Sequence, residues 1–211
     1  VVMAIVPHTI ARILSVWKHY NEFGNILAFK PRFYLKDNEL VLLKNFISSP
    51  QKFYELETFI DKVNLHDFYY ESKFLKESFS FPYLFSVIKN PRRILYFILK
   101  LFRKLFKRFP SFVGLLDKAI IETLDSEGPK QLKDLYQSNY ATSLLLALMD
   151  DFFKYSKDQS FIPIILFLPM KEDLLYMQQH DNFYSHIIDE VSHKNIVIDL
   201  SEKMLEEEDI L

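Results

Sequence analysis

Three short apolar runs constrain the fold of this chain more than any other feature. They cover residues 1–6, 161–168 and 195–200, and each has the length and continuous apolar character of a strand buried on both faces. Residues 171–193, between the last two runs, have the spacing of a helix. A strand, a helix and a second strand in this order form a unit of a parallel sheet. The sequence therefore predicts an α/β domain.

A β-hairpin is predicted next to this sheet. Apolar and polar residues alternate between residues 29 and 44 on both sides of Lys36-Asp37-Asn38, a segment typical of a tight turn. The apolar residues on either side of the turn are Phe33, Leu35, Leu40 and Leu42. We expect this hairpin at the edge of the domain.

Helices are predicted on both sides of an insertion. Ser49-Pro50 begins a helix that ends near Asn64, and a second helix covers about residues 131–155. Residues from about 65 to 130 contain no signal for a buried strand and have a basic and aromatic bias. We therefore expect a single domain over residues 1–211 with a helical insertion at about 65–130.

Within the insertion, Pro91 opens a basic amphipathic helix that is predicted to run to about Phe109. Its later half places Leu101, Phe102, Leu105, Phe106 and Phe109 on one face. The cations of the segment are Arg92, Arg93, Lys100, Arg103, Lys104, Lys107 and Arg108. Two interpretations stay open. The apolar face packs against neighbouring insertion helices, or the helix lies on an anionic membrane surface.

Composition excludes several classes of function. The chain has no cysteine, which excludes disulfides, thiolate zinc sites and a cysteine nucleophile. Its three glycines are too few for a phosphate-binding loop or a dinucleotide fingerprint. The net charge of −2 does not favour nucleic acid as a partner. No signal peptide or long apolar span is present, so a cytoplasmic location is slightly favoured unless an export signal has been lost by truncation.

The histidines near the C-terminal end do not form a metal motif. His180, His186 and His193 are separated by six and seven residues, whereas ligands on one helical face are three or four residues apart. We therefore expect neither a metal nor a cofactor.

Two blocks of the sequence resemble a known family. Residues 1–12 read Val-Val-Met-Ala-Ile-Val-Pro-His-Thr-Ile-Ala-Arg, and residues 28–35 read Ala-Phe-Lys-Pro-Arg-Phe-Tyr-Leu, followed by Glu-Leu-Val-Leu-Leu at 39–43. Together they resemble the SGNH/GDSL-type hydrolases, in particular the bacterial branch near surface-polysaccharide genes. The resemblance implies a flavodoxin-like three-layer α/β/α sandwich, here with an incomplete parallel sheet. It also implies hydrolysis of an ester, with an O-acyl group on a cell-surface carbohydrate as the substrate.

The family's activity depends on four blocks: a Gly-Asp-Ser nucleophile after the first strand, a glycine, an asparagine and a C-terminal Asp-x-x-His. The sequence contains no Gly-Asp-Ser, and no histidine follows the last predicted strand, where the family's catalytic histidine lies. We expect truncation on both sides to explain both absences, and we expect residues 1–211 alone to have no esterase activity. Natural loss of function, or a non-catalytic module that binds membranes, remain the alternatives.

The resemblance also implies which residues lie in the site. His8 stands where the family has its oxyanion donor, and its imidazole N–H can replace a side-chain amide in that role. The alternative is that His8 only caps the helix that begins near Thr9. Arg12, one turn later, could bind a carboxylate or a substrate oxygen. Lys30 and Arg32 could bind substrate in the same cleft, or form a structural ion pair within the hairpin.

Overall fold

The computed structural model describes residues 1–18, 29–75, 91–124, 129–193 and 195–206. The strands are β1 (Val2–Ile5), β2 (Arg32–Lys36), β3 (Glu39–Leu43), β4 (Ile164–Phe167) and β5 (Ile196–Asp199). The α-helices are α1 (Thr9–Leu14), α2 (Pro50–Phe53), α3 (Ile60–His66), α4 (Pro91–Leu105), α5 (Pro110–Leu124), α6 (Pro129–Tyr136), α7 (Asn139–Asp158), α8 (Lys171–Met177), α9 (Ser185–Ser192) and α10 (Ser201–Glu206). A 3₁₀ turn covers Leu56–Phe59 and a π-helical turn covers Tyr70–Phe74.

The chain divides into two compact units. The sheet unit contains Val1–Val16, Lys30–Phe46 and Glu127–Leu211, and the helical unit contains Trp17–Phe29 and Ile47–Ser126. The helical unit includes most of the predicted insertion at 65–130 but begins earlier in the chain. The single domain with a helical insertion at about 65–130 stays a prediction.

The predicted parallel sheet is confirmed, and so is the mixed α/β class. Strands β1, β4 and β5 are adjacent in that order and all parallel, and Ile5, Phe167 and Asp199 are aligned at their carboxyl ends. The middle strand is buried on one face more than on the other, since Ile165 and Phe167 are completely inaccessible whereas Ile164 and Leu166 are only partly buried. Val2 and Ile196 are about half exposed because, in the described part of the chain, each outer strand pairs on one side only.

Two predicted helices are each divided in two. The helix expected at 171–193 is α8 and α9, and the helix expected at 131–155 is α6 and α7. The first break contains Asn182, whose side chain accepts a hydrogen bond from the backbone N–H of Tyr184 (3.1 Å). Such local side-chain bonds compete with helical backbone bonds. At the second break, Ser138 has an extended backbone and its C=O accepts from the Thr142 N–H at 3.0 Å, so a new helix starts there.

The hairpin prediction is confirmed in turn and register. Strands β2 and β3 are antiparallel and joined by Asp37 and Asn38, whose positive φ angles of 51° and 63° fit a two-residue turn of type I′. The apolar residues beside the turn are not the most buried ones of the hairpin. Phe33 and Leu42 are exposed, whereas Arg32 on the opposite face is buried.

In the helical unit, regular structure is shorter than the sequence predicted. The helix expected from Pro50 to Asn64 consists of α2, the 3₁₀ turn and α3. The basic helix α4 ends at Leu105 and not at Phe109, because residues 106–109 form the turn before Pro110 begins α5. Proline fits the first position of a helix, where its missing N–H would have no helical partner.

Candidate functional site at the carboxyl edge of the sheet

The carboxyl ends of the three parallel strands bring polar residues to one edge of the sheet unit. His8 follows β1, Asp173 lies in the first turn of the helix after β4, and Asp199 is the last residue of β5. In open α/β sheets, ligands bind beyond this edge. It is therefore the first place to look for a site.

His8 lies at the start of α1 and is half-buried. Its side chain makes no hydrogen bond that caps the helix, so the capping alternative is not what this structure contains. Only its backbone contributes to the helix, since the His8 C=O accepts a hydrogen bond from the Arg12 N–H at 3.2 Å. The imidazole is therefore not used by the helix.

Asp173 is the buried acid of this edge, with an exposed fraction of 1%. Its Oδ2 accepts a hydrogen bond from the backbone N–H of Met170 at 2.9 Å, which fixes the start of α8. Burial raises the pKa of the Asp173 carboxyl, while the Met170 N–H and the charge of His8 oppose that rise. His8 and Asp173 are thus electrostatically coupled, although 165 residues separate them in the sequence.

A hydrogen-bond network surrounds the end of β5. The Ser201 hydroxyl donates to Asp199 Oδ2 at 2.5 Å, and the Ser201 backbone N–H donates to Asp199 Oδ1 at 3.0 Å. Asn182 Nδ2 donates to Asp199 Oδ2 at 3.3 Å and lies 3.4 Å from Ser201 Oγ. Ser201 is buried and its hydroxyl is committed to Asp199, so it is not placed as a nucleophile.

Two tyrosines connect the parts of this edge. Tyr136 is fully buried, and its hydroxyl donates to the Pro7 C=O at 3.2 Å, directly before His8. The Tyr184 hydroxyl donates to Asp199 Oδ1 at 3.5 Å, and its ring stacks on Phe167 with centroids 5.3 Å apart. Burial raises the pKa of both phenols, so both stay protonated as donors.

These residues form what we call the sheet-edge cluster: His8, Tyr136, Asp173, Asn182, Tyr184, Asp199 and Ser201. Electrostatic interactions link Asp173 to His8 and to both tyrosines. Within the cluster, His8 is the group that combines partial exposure with an uncommitted side chain. The arrangement can present an imidazole to a ligand at the same sheet edge as buried, hydrogen-bonded groups.

The other three predicted site residues serve the local structure to different degrees. Arg32 is 4% exposed, and its guanidinium donates to the C=O of Leu14 and to the Tyr140 hydroxyl, the latter at 3.0 Å. These two hydrogen bonds give Arg32 a structural role. The role of Arg32 in binding substrate stays a prediction.

Lys30 has a similar structural contact, since its Nζ donates to the Arg12 C=O at 2.6 Å. The Arg12 side chain is exposed and makes no hydrogen bond or ion pair with the described residues. Of the four predicted residues, His8 therefore lies in the cluster, and Arg12 is accessible one turn later. Lys30, just before β2, and Arg32, the first residue of β2, both bond to α1.

Sequence reasoning missed the partners of His8. Asp199 had a signal, because it is a charged residue that ends an apolar strand. Asp173 had a weaker one, an acid in the first turn of a predicted helix, which usually means capping alone. Tyr136 and Tyr184 had none, because their positions depend on how α6 and the start of α9 pack.

No helix in the described part of the chain is both long enough and apolar enough to cross a bilayer. Among the same residues, no group of three or more potential ligands is arranged to hold a metal ion. Comparisons with models of known families, with curated proteins and with solved structures gave no match. Function therefore has to be argued from the geometry of the sheet-edge cluster and from the residues of the two blocks.

Proposed function

We propose that this chain is part of an SGNH/GDSL-type hydrolase that cleaves an O-acyl ester, with an acylated cell-surface carbohydrate as its substrate. The observation that carries the proposal is the position of His8. It lies beyond the carboxyl end of β1, is only partly buried, is not used as a helix cap and is coupled to the buried Asp173. The place implied for an oxyanion donor thus holds an available imidazole.

The strand order supports the fold part of this proposal. A flavodoxin-like sheet has the order 2-1-3-4-5. The adjacent, parallel β1, β4 and β5 have the arrangement of the third, fourth and fifth strands of such a sheet. In this assignment His8 follows the third strand, next to the point where the strand order reverses and ligands bind. We therefore propose a flavodoxin-like three-layer sandwich as the complete architecture.

In the proposed reaction, His8 acts on the ester carbonyl. As a serine attacks the carbonyl carbon, negative charge develops on the carbonyl oxygen, and an imidazole N–H of His8 donates a hydrogen bond to it. The Tyr136 bond to Pro7 holds the segment that carries the imidazole. The reaction also requires a serine nucleophile and a base, and residues 1–211 contain neither the Gly-Asp-Ser nor the Asp-x-x-His block that would supply them.

The test uses the product of the whole gene from which these residues come, with an aryl acetate and an O-acetylated polysaccharide as substrates. Removing one oxyanion donor costs about 10²- to 10³-fold in kcat. We expect His8→Ala to lose that factor and His8→Gln, which keeps an N–H donor, to lose less. His180→Ala is the matched control, because His180 is exposed and stacks on Tyr176.

Two results would contradict the proposal. One is the absence of ester turnover by the whole product. The other is turnover that His8→Ala and His180→Ala leave equally unchanged. Residues 1–211 alone are expected to be inactive, so turnover by this polypeptide that depends on His8 would refute the assignment of the nucleophile to another part of the protein.

A further inference from the structure

The helical unit carries a helical hairpin, α4 and α5, whose ends differ in burial. Tyr96, Leu116 and Ile120 are buried, so the base of the hairpin is packed. Across the two helices, Arg103 Nε donates to Asp117 Oδ1 at 2.5 Å. The hairpin is therefore held together by its own contacts, and its exposed end is not a loose segment.

We call residues 100–112 the hairpin tip. Its turn is ordered by aromatic contacts: the Phe106 ring lies 5.0 Å from that of Phe112 and 6.0 Å from that of Phe102. The Phe109 N–H also donates to the Phe106 C=O at 2.9 Å. A defined turn thus presents the side chains around it.

The hairpin tip exposes large apolar side chains. Leu101 is 58% exposed, Leu105 67% and Phe109 60%. Every residue from 101 to 112 is exposed. A single exposed leucine is ordinary, but a concentration of this kind at one end of a hairpin is typical of an interaction surface.

The same tip is strongly basic. Residues 100–112 contain five lysines and arginines and no acid, although the whole chain has a net charge of −2. Lys100, Arg103, Lys104 and Lys107 line a groove of about 740 Å³ together with Leu101 and Val113. At 100° per residue, Lys100, Arg103 and Lys104 lie on the side of α4 opposite Ile98, Phe102 and Leu105. Arg92 and Arg93 are also predicted to contact a membrane, but their side chains are not among those that the structure describes.

We propose that the hairpin tip docks on the surface of an anionic phospholipid membrane. The exposed leucines and phenylalanines enter the boundary between headgroups and acyl chains, and the three lysines of the groove bind lipid phosphates, while Arg103 stays paired with Asp117. Nucleic acid would complement the cations but would leave Leu101, Leu105 and Phe109 in water. The charge and the apolar surface together therefore select a membrane, and this inference does not depend on the proposed hydrolase activity.

The experiment is flotation of the 211-residue chain with vesicles of phosphatidylcholine alone or with 30% phosphatidylglycerol, a composition we choose to give a strongly anionic surface. We expect binding to the anionic vesicles and much weaker binding to the neutral ones, and about 0.5 M salt should reduce the first. Lys104→Gln with Lys107→Gln should weaken binding by about tenfold or more. Lys154→Gln with Lys157→Gln, on exposed positions of α7, is the charge-matched control.

A second pair of variants tests the apolar part. Leu105→Ser with Phe109→Ser keeps every cation and is expected to abolish stable binding, and both positions are exposed, so folding is retained. Phe109→Trp should be quenched by brominated lipids in anionic vesicles. The proposal is overturned if neutral and anionic vesicles bind equally, if neither binds, if the control pair weakens binding as much as the lysines of the tip, or if the serine pair binds normally.

Discussion

Arg32 provides the sharpest test of how the sheet unit is held together. Its buried guanidinium donates to the Leu14 C=O at the end of α1 and to the Tyr140 hydroxyl at the start of α7, and both acceptors are distant in sequence. A hydrogen bond from a charged donor contributes about 1.5–3 kcal/mol. Loss of both bonds in Arg32→Ala should therefore lower the free energy of unfolding by about 3 kcal/mol or more.

Arg32→Lys should lose about half as much, because one ammonium group cannot reproduce the two directions of a guanidinium fork. The control is Lys36→Ala at the exposed end of β2, which should change stability by less than about 0.5 kcal/mol. Urea unfolding followed by circular dichroism measures the free energy. Amide hydrogen exchange over residues 32–43 then shows whether the loss is located in the hairpin.

A double-mutant cycle isolates one of the two bonds. Tyr140→Phe removes the hydroxyl, so it should cost much less in the Arg32→Ala background than in the native protein. The structural role of Arg32 is refuted if Arg32→Ala is as stable as the Lys36→Ala control. It is also refuted if Arg32→Ala leaves stability and hairpin exchange unchanged but weakens substrate binding by the whole gene product, which is the role that the sequence predicted.

The two remaining predictions concern the carboxyl of Asp173 and the phenol of Tyr136, both buried in the sheet-edge cluster. Because the pKa of Asp173 is raised above its ordinary value of 3.8, its contribution to stability is present below that pH and is lost as pH rises through the folded pKa. Asp173→Asn keeps an acceptor for the Met170 N–H. In denaturation experiments, the free energy of unfolding of this variant should rise relative to that of the native protein as pH goes from 4 to 7. A difference between the two proteins that does not change with pH would contradict this. Tyr136→Phe removes the bond to Pro7 and should cost about 1 kcal/mol at neutral pH. Because the folded pKa of Tyr136 is raised above 10.0, the stability difference between the native protein and Tyr136→Phe should shrink as pH rises above 10. A difference that grows with pH would contradict this prediction.

The elements that sequence reasoning predicted well are those specified by neighbouring residues. The strand, helix and strand pattern after residue 161 predicted two parallel strands, and Asp37-Asn38 predicted a hairpin turn because few residues accept positive φ angles. The helix breaks were missed because part of what stabilises them comes from residues that are distant in the sequence. The break near Asn182 is stabilised in part by a bond from its side chain to Asp199, which is 17 residues away, and no local pattern contains that partner.

The site divides in the same way. His8 was predicted because it directly follows an apolar strand in a block that resembles a known family. Asp173 and Tyr136 were not, since only the pairing of β1 with β4 and the packing of α6 bring them to the same edge. The burial of Arg32 could not be read from the alternation in the hairpin, because its acceptors lie on α1 and α7.

The sequence by itself determined the α/β class, the parallel strands, the hairpin turn and the amphipathic basic segment, because hydrophobic periodicity and turn chemistry act over a few residues. Only the tertiary structure decided which groups surround His8, that Arg32 holds the hairpin in place, and that the apolar face of the basic segment stays exposed. Those outcomes depend on contacts between residues far apart in the chain, and the free energy of such contacts exists only after the strands and helices have packed.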